Sequence, residues 1–225
     1  MVDAVYSAVW VAVLAGGLAL AVVLTRLGVS RSHARDVLHV GAGLWPLGWP
    51  SWQGLFAPLA IVWGALLAMV AVPSVARHVR WVARVRESVS SEEERWSGLV
   101  LYTLSVAVLT TVGLTKLPFA AAGALLALAL GDGVGGAVGL AYGRHRFRAP
   151  GGKTKSLEGS LAVAFFAALG VLLSARWFSV PLGFVAALLA GLLAAVAEAL
   201  SPKGTDNVLV PGSVFCFLVF FRAAA

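Results

Sequence analysis

Seven long apolar runs constrain this chain more than any other feature of its sequence. A helix that crosses a bilayer needs about 20 predominantly apolar residues. The runs cover residues 4–27, 54–76, 96–114, 118–142, 157–178, 181–200 and 208–221. Charged residues make up only 12% of the 225 residues, about half the fraction of a soluble domain. We therefore predict an all-α integral membrane protein in which residues 1–225 form a single domain.

An eighth stretch, residues 37–49, is apolar but is interrupted by glycine and proline. All of the 17 Lys and Arg except Lys116, Arg176 and Arg222 fall in four loops. These loops share one side of the membrane only if residues 37–49 cross it; a re-entrant segment is the alternative. The positive-inside rule then makes that side cytoplasmic and places the N-terminus outside. We predict a multi-pass protein of the cell membrane with 7–8 transmembrane helices.

The net charge of +7 is explained by these loops, so we expect no nucleic-acid partner. Residues 77–95 place valines and a tryptophan among arginines. This pattern fits either a basic helix on the membrane surface or a solvated linker. The first apolar run has no basic segment before it and is long enough to span, so we expect it to be retained. Cys216 is the single cysteine and cannot form an internal disulfide.

Three acidic residues lie inside or at the edge of apolar runs, namely Asp132, Glu158 and Glu198. A charge at the centre of a membrane helix costs about 2.5–3.5 kcal/mol on insertion scales. Each of the three lies toward the end of its run that adjoins a basic loop. We therefore expect each to have a partner or a ligand there.

Asp132 stands in a glycine-rich segment, residues 131–136, that formally matches the dinucleotide pattern G-x-G-x-x-G. No strand precedes it, so this match is weak. Glycines recur every four residues from 131 to 143 and share one helix face. Such a stripe is typical of close helix packing. Beside a carboxylate, it also offers room for a metal-bound phosphate.

The loop that follows carries five basic residues and ends at the start of the next apolar run. Gly152-Lys153-Thr154 resembles the end of a P-loop, but Phe147 replaces the first glycine, which excludes that motif. Ser156 is a candidate N-cap and Glu158 suits the first turn of a helix. Free N–H groups there would favour a polyphosphate. Topogenic charge and ordinary capping are the alternative interpretation.

A last cluster joins Glu198 to the start of the final run at Asp206 and Asn207. Asn207 alone is explained by N-capping. Glu198 has no partner nearby in the sequence. A Mg²⁺ shared with Asp132 or Asp206 would satisfy it.

In this order, the clusters resemble the CTP-dependent polyprenol kinase family, which contains phytol, farnesol and dolichol kinases and is distantly related to CDP-diacylglycerol synthases. The matching segments are Gly131-Asp132, Lys155-Ser156-Leu157-Glu158-Gly159-Ser160, Glu198 and Asp206-Asn207 up to Pro211. An earlier family element, Arg-Lys-x-x-His, corresponds to Arg35-Asp36-Val37-Leu38-His39, with Asp36 in place of lysine. Many phytol kinases carry a second Asp where this chain has Gly135-Gly136. The resemblance spans residues 31–212.

The resemblance implies transfer of the γ-phosphoryl group of CTP to an isoprenoid alcohol (phytol, geranylgeraniol, farnesol or a polyprenol) at the cytoplasmic face. It implies that Asp132, Glu198 and Asp206 bind Mg²⁺, that Glu158 orients the metal or nucleotide, and that Asp132 accepts the hydroxyl proton. Arg35 and His39 could close the site. The implied nucleotide- and phosphate-binding residues are Arg144, Lys153, Lys155, Ser156, Gly135, Gly136, Gly159, Ser160 and Asn207.

Two other functions stay open at this point. A phosphatidate cytidylyltransferase shares CTP and Mg²⁺ with the kinases, although its C-terminal signature is not found here. A small transporter would also use acidic residues in the membrane, but transport sites lie near the midplane between repeats, and no repeat is visible. The expected partners are a lipid alcohol, a nucleoside triphosphate and membrane lipids, and a homodimer is compatible with the sequence.

Overall fold

The computed structural model describes residues 2–90, 96–150, 154–202 and 204–224. A 3₁₀ segment, Trp45–Ser51, follows the second helix, and a π turn, Leu128–Asp132, joins the sixth helix to the seventh. Strands β1 (Arg146–Arg148) and β2 (Thr154–Ser156) form an antiparallel hairpin. The helices are α1 (Val2–Arg26), α2 (Arg31–Gly43), α3 (Phe56–Val75), α4 (Arg80–Val89), α5 (Trp96–Thr115), α6 (Pro118–Ala127), α7 (Gly133–Tyr142), α8 (Leu157–Trp177), α9 (Phe184–Leu200) and α10 (Asp206–Ala224).

The predicted class, an all-α integral membrane protein, is confirmed. Helices α1, α3, α5 and α8, and the continuous stretch Pro118–Tyr142, are long and apolar enough to cross a membrane. Helix α9 and residues Asp206–Phe221 of α10 are shorter apolar helices. The outward faces of these helices carry exposed Leu, Val and Phe side chains, as expected when lipid rather than water surrounds the bundle.

The chain from α2 to Gly54, which includes residues 37–49, runs the length of α1. The Asp3 carboxylate, in the first turn of α1, accepts hydrogen bonds from the backbone N–H groups of Gln53 and Gly54 at 2.8 and 3.0 Å. Further along α1, the Trp10 and Trp45 rings are 4.7 Å apart. Since α1 has 25 residues and is roughly 37 Å long at 1.5 Å per residue, the chain between α2 and Gly54 passes from one end of the bundle to the other. A re-entrant segment would have returned to its starting side.

Prolines explain why this crossing segment is not one helix. Pro46 and Pro50 lie in the 3₁₀ segment. Proline has no N–H to donate to the preceding turn and clashes with it. The α-helix therefore ends at Gly43, and the chain completes the crossing as a 3₁₀ segment. The buried rings of Trp45 and Trp49 fill the space beside it.

Small residues let the central helices approach closely. Helix α6 is buried along its whole length. A Cβ on Gly170 would lie 2.6 Å from the Leu126 carbonyl oxygen, and one on Gly191 would lie 2.2 Å from that of Ala164. Helices α6, α8 and α9 are thus in backbone contact, which is the usual way membrane helices associate.

The glycine stripe of α7 packs on α8. A Cβ on Gly135 would lie 2.4 Å from Val163, and one on Gly139 would lie 3.3 Å from Gly159. The packing interpretation of the stripe is therefore confirmed. Gly136 is outside this contact and has open space where a side chain would be.

Basic loops meet at one end of the bundle. Helix α4 is amphipathic and buries Val82, Ser88 and Val89, with Val89 packed beside Ala21 of α1 and Ala34 of α2. Residues 80–89 are therefore a helix rather than a linker. The opposite end contains the Asp3 contact and the ends of α5 and α8, where the Trp49 and Phe178 rings are 6.4 Å apart.

We predict that Gly113→Val destabilises the protein because a Cβ at this position of α5 would lie 2.2 Å from the buried Trp49 ring. Overpacking of this kind costs about 1–3 kcal/mol. The melting temperature in detergent should fall. Gly64→Val on α3 is the matched control because nothing lies within 4 Å of its added Cβ. Equal melting temperatures for the two variants would show that the 3₁₀ segment does not pack on α5 as described.

Candidate functional site

A cavity of about 670 Å³ opens at the end of the bundle where the basic loops meet. Its walls come from α2, α5, α7, the hairpin, α8, the end of α9 and the start of α10. Four carboxylates and three cationic side chains line it: Asp36, Asp132, Glu198, Asp206, Arg35, Arg146 and Lys155. This concentration of charge within an apolar bundle marks the cavity as the candidate site.

Each carboxylate comes from a different helix or helix junction. Asp36 is in α2, Asp132 ends the π turn, Glu198 is in the last turns of α9 and Asp206 begins α10. A π turn inserts one residue into a helical turn and is frequent at functional sites. Negative charges that line the same cavity repel one another. Cations in the cavity would reduce this repulsion.

Asp132 faces a histidine that is held by a tyrosine. The His39 Nε2 lies 3.8 Å from Asp132 Oδ2. The Tyr102 ring centroid is 4.1 Å from that of His39, and the Tyr102 hydroxyl donates to the His39 carbonyl at 2.8 Å. His39 is only 8% exposed, so it forms an inner wall of the cavity and not a lid over it. Within the described part of the chain, its Nε2 has no hydrogen-bond partner.

Lys155 of β2 contacts Glu198 of α9. Its ammonium group donates to both the carboxylate and the main-chain carbonyl of Glu198. The two side chains are 10% and 14% exposed. This pair attaches the hairpin to the end of α9. The sequence predicts that Lys155 binds phosphate and that Glu198 binds Mg²⁺, and the structure places the two side chains in contact.

The structure does not bring Glu158 to the other carboxylates. Its carboxylate accepts hydrogen bonds from the backbone N–H groups of Arg144 and His145 at 3.1 and 3.2 Å, and the His145 Nδ1 lies 2.6 Å away. Those N–H groups follow the end of α7 and have no acceptor within a helix. Glu158 therefore anchors the hairpin between α7 and α8 and does not line the cavity. This corrects the expectation that it orients the metal or nucleotide.

Ser156 caps α8, because its Oγ accepts a hydrogen bond from the Gly159 N–H at 3.2 Å. The start of α8 borders the cavity through Ser156, Gly159 and Ser160. The Ser160 Oγ is buried and has no hydrogen-bond partner among the described residues. An anion in the cavity would meet both this hydroxyl and the positive end of the helix.

The remaining predicted residues divide into three groups. Gly135, Gly136 and Asn207 line the cavity. Arg144 is exposed and is not part of the lining. Lys153 lies outside the described residues. Asn207 is the second residue of α10, so it does not cap the helix.

Sequence reasoning missed several residues of the cavity wall, including Asp36, Tyr102, Arg146 and Thr154. Asp36 precedes His39 by three positions and Arg35 precedes it by four, so all three share one helix face. That spacing could have indicated Asp36. Tyr102 lies within an apolar run and gives no signal in the sequence.

The donor chemistry of the cavity fits a divalent cation that arrives with phosphate. Among the described residues, no three His, Cys, Asp or Glu side chains are close enough to hold a metal alone. Mg²⁺ in phosphoryl-transfer enzymes typically takes one or two carboxylates and completes its shell with water and substrate phosphates. The Asn207 Oδ1 also lines this region and is buried without a hydrogen-bond partner in the described chain, so it is a further oxygen available to a cation.

No family model and no solved structure matches the chain. Among curated proteins, the phytol kinase of Synechocystis sp. (strain ATCC 27184 / PCC 6803 / Kazusa) is 33% identical over 220 residues. The match covers 90% of this chain and 88% of that relative. This identity, together with the coverage of both chains, shows the family. The chain belongs to the polyprenol kinase family that includes phytol kinase, and it is a phosphotransferase.

Proposed function

We propose that this protein transfers the γ-phosphoryl group of CTP to an isoprenoid alcohol (phytol, geranylgeraniol, farnesol or a polyprenol) at the cytoplasmic face of the membrane. The observation that carries the proposal is the lining of one cavity by Asp132, Glu198, Asp206 and Lys155 at the end of a membrane bundle. The relative's name, phytol kinase, supports an isoprenoid alcohol as the acceptor.

The triphosphate would lie along the start of α8. Arg35, Arg146 and Lys155 line the cavity and supply positive charge, and the helix start adds N–H donors. When a triphosphate binds, the Lys155 ammonium group can leave the Glu198 carboxylate and contact phosphate oxygens. The Glu198 carboxylate would then be available to Mg²⁺. The open wall at Gly136 leaves room for the nucleotide to approach the backbone of α7.

Asp132, Glu198, Asp206 and the Asn207 Oδ1 are the groups that would hold Mg²⁺. When bound, Mg²⁺ neutralises charge on the β- and γ-phosphate oxygens. The residues of the chain then position the reactants. The His39 Nε2 lies 3.8 Å from the Asp132 carboxylate, and Asp132 accepts the proton of the substrate hydroxyl.

Phosphoryl transfer from CTP to the alcohol needs no further reactant. The alcohol oxygen forms a bond to the γ-phosphorus while the bond from that phosphorus to the bridging β–γ oxygen breaks. CDP leaves, the proton passes to Asp132 and then to water, and the lipid monophosphate remains at the membrane.

The alcohol would reach the cavity sideways from the bilayer. Leu140 of α7 lines the cavity and is 65% exposed on the outer surface. On the facing helix α2, Val37 is exposed. Nothing lies within 4 Å of a Cβ added at Gly41 of the same helix. Helices α2 and α7 touch where Gly133 meets Val40, so a chain could lie beside this contact with its hydroxyl at the cavity.

The basic loops support the cytoplasmic side for the cavity, since positively charged loops are retained there. Arg35, Arg146 and Lys155 belong to these loops. The Asp3 contact with Gln53 and Gly54 is at the opposite end of α1. This orientation puts the N-terminus outside the cell, and it gives the site access to cytoplasmic nucleotide.

We predict that γ-labelled CTP transfers its label to phytol or a related alcohol, with release of CDP. Asp132→Asn should lower kcat by about 10²–10⁴-fold, the usual effect of losing a general base, with an unchanged melting temperature. Glu87→Gln is the control because it removes an exposed carboxylate of α4 that does not line the cavity. Release of pyrophosphate would instead indicate a cytidylyltransferase, and full activity of Asp132→Asn would exclude the assigned role.

We predict that Gly136→Val raises the KM for CTP by about tenfold or more, because its side chain would occupy the open wall of the cavity. The melting temperature should match that of the wild type, since nothing lies within 4 Å of the added Cβ. Gly64→Val on α3 is the control for a new side chain in open space elsewhere. An unchanged KM for Gly136→Val would place the nucleotide away from α7.

A further inference from the structure

A second cavity, of about 390 Å³, lies between the end of α1, the start of α2 and helix α4. It shares no lining residue with the cavity that contains the carboxylates. Arg26, Arg31 and Arg84 line it. Gly28 has a φ of +88°, a conformation that glycine adopts without strain, and this tight reversal brings Arg26 and Arg31 to the same cavity.

The three guanidinium groups are the available donors of this cavity. In the described part of the protein, none of the three forms an ion pair within 4.0 Å, although Glu87 also lines the cavity. The hydroxyls of Thr25 and Ser88 already donate to backbone carbonyls. Three arginines against one carboxylate leave a net positive charge, and arginine binds phosphate oxygens in a bidentate manner.

The other half of the cavity is apolar. Val22 and Val29 line it together with the arginines, and Val22 lies one turn before Arg26 within the membrane-spanning helix. On the surface beside it, Val23 and Leu27 are exposed. A ligand that fills this space must carry an anionic group directly next to an apolar part.

Helix α4 places the cavity at the surface of the bilayer. Its buried side packs on α1 and α2, while Trp81 is 67% exposed on a helix rich in arginine. An amphipathic basic helix with an exposed tryptophan is typical of the layer of lipid headgroups. The cavity therefore opens where lipid phosphates are concentrated.

We propose that this cavity binds the phosphate group of an anionic membrane phospholipid, with the glycerol and upper acyl region against Val22 and Val29. A free phosphate or a nucleotide would use only the arginines and would leave the apolar half in contact with water. The proposal is independent of the phosphotransfer reaction, because the two cavities are lined by different residues.

The experiment measures lipid retention by native mass spectrometry after purification in a neutral detergent with phosphatidylglycerol and phosphatidylcholine in equal amounts. We expect the wild type to retain one phosphatidylglycerol in preference to phosphatidylcholine. An arginine near an anionic headgroup contributes about a fivefold gain in affinity. The combined variant Arg26→Gln, Arg31→Gln and Arg84→Gln should therefore retain phosphatidylglycerol at least tenfold more weakly.

The matched control is the combined variant Arg77→Gln, Arg80→Gln and Arg148→Gln, which removes three exposed arginines that line neither cavity. It should retain phosphatidylglycerol as the wild type does. Equal loss in the control would reduce the effect to general surface charge and overturn the proposal. Equal retention of the two lipids by the wild type would also overturn it, and this arm does not depend on how the variants fold. Thermal stabilisation by inorganic phosphate that equals the stabilisation by phosphatidylglycerol, and that is lost in the variant of Arg26, Arg31 and Arg84, would assign the cavity to a free anion instead.

Discussion

Mutual repulsion among the acidic side chains at one end of an apolar bundle is the constraint on which the rest of the structure depends. Asp36, Asp132, Glu198 and Asp206 line a single cavity, and carboxylates removed from bulk water must be compensated. Lys155 provides part of that compensation through its contact with Glu198. Arg35 lies 3.6 Å from Asp36 and compensates that carboxylate. Under the proposed function, a cation and a polyphosphate that bind together in the cavity would add further compensation.

Small residues make this arrangement sterically feasible. The contact of α7 with α8 depends on Gly135 and Gly139, and the π turn before α7 brings Asp132 to the cavity. Glu158 then holds the hairpin to the end of α7 through the Arg144 and His145 N–H groups. Close helix packing, a local change of helical pitch and one anchored hairpin together place charges from distant parts of the chain around one space.

The membrane helices could be predicted from the sequence because hydropathy is a property of each segment by itself. The partition of Lys and Arg even indicated that residues 37–49 cross, which the Asp3 contact with Gln53 and Gly54 supports. Side-chain partners were harder to predict, because they depend on tertiary contacts. Glu158 resembles a site residue in the sequence, yet its nearest unsatisfied N–H groups are those of the adjacent hairpin. Tyr102 reaches His39 from an apolar run, and an apolar run carries no pattern that distinguishes one inward residue from another.

The central claim is that carboxylates from separate helices share one cation with the nucleotide. Titration of Mn²⁺ in place of Mg²⁺, followed by electron paramagnetic resonance, tests it most directly. The account predicts one tightly bound Mn²⁺ per chain only when a nucleoside triphosphate is present, lost in Asp132→Asn and Asp206→Asn and kept in Glu158→Gln. Equal Mn²⁺ binding in the wild type and both aspartate variants would contradict it.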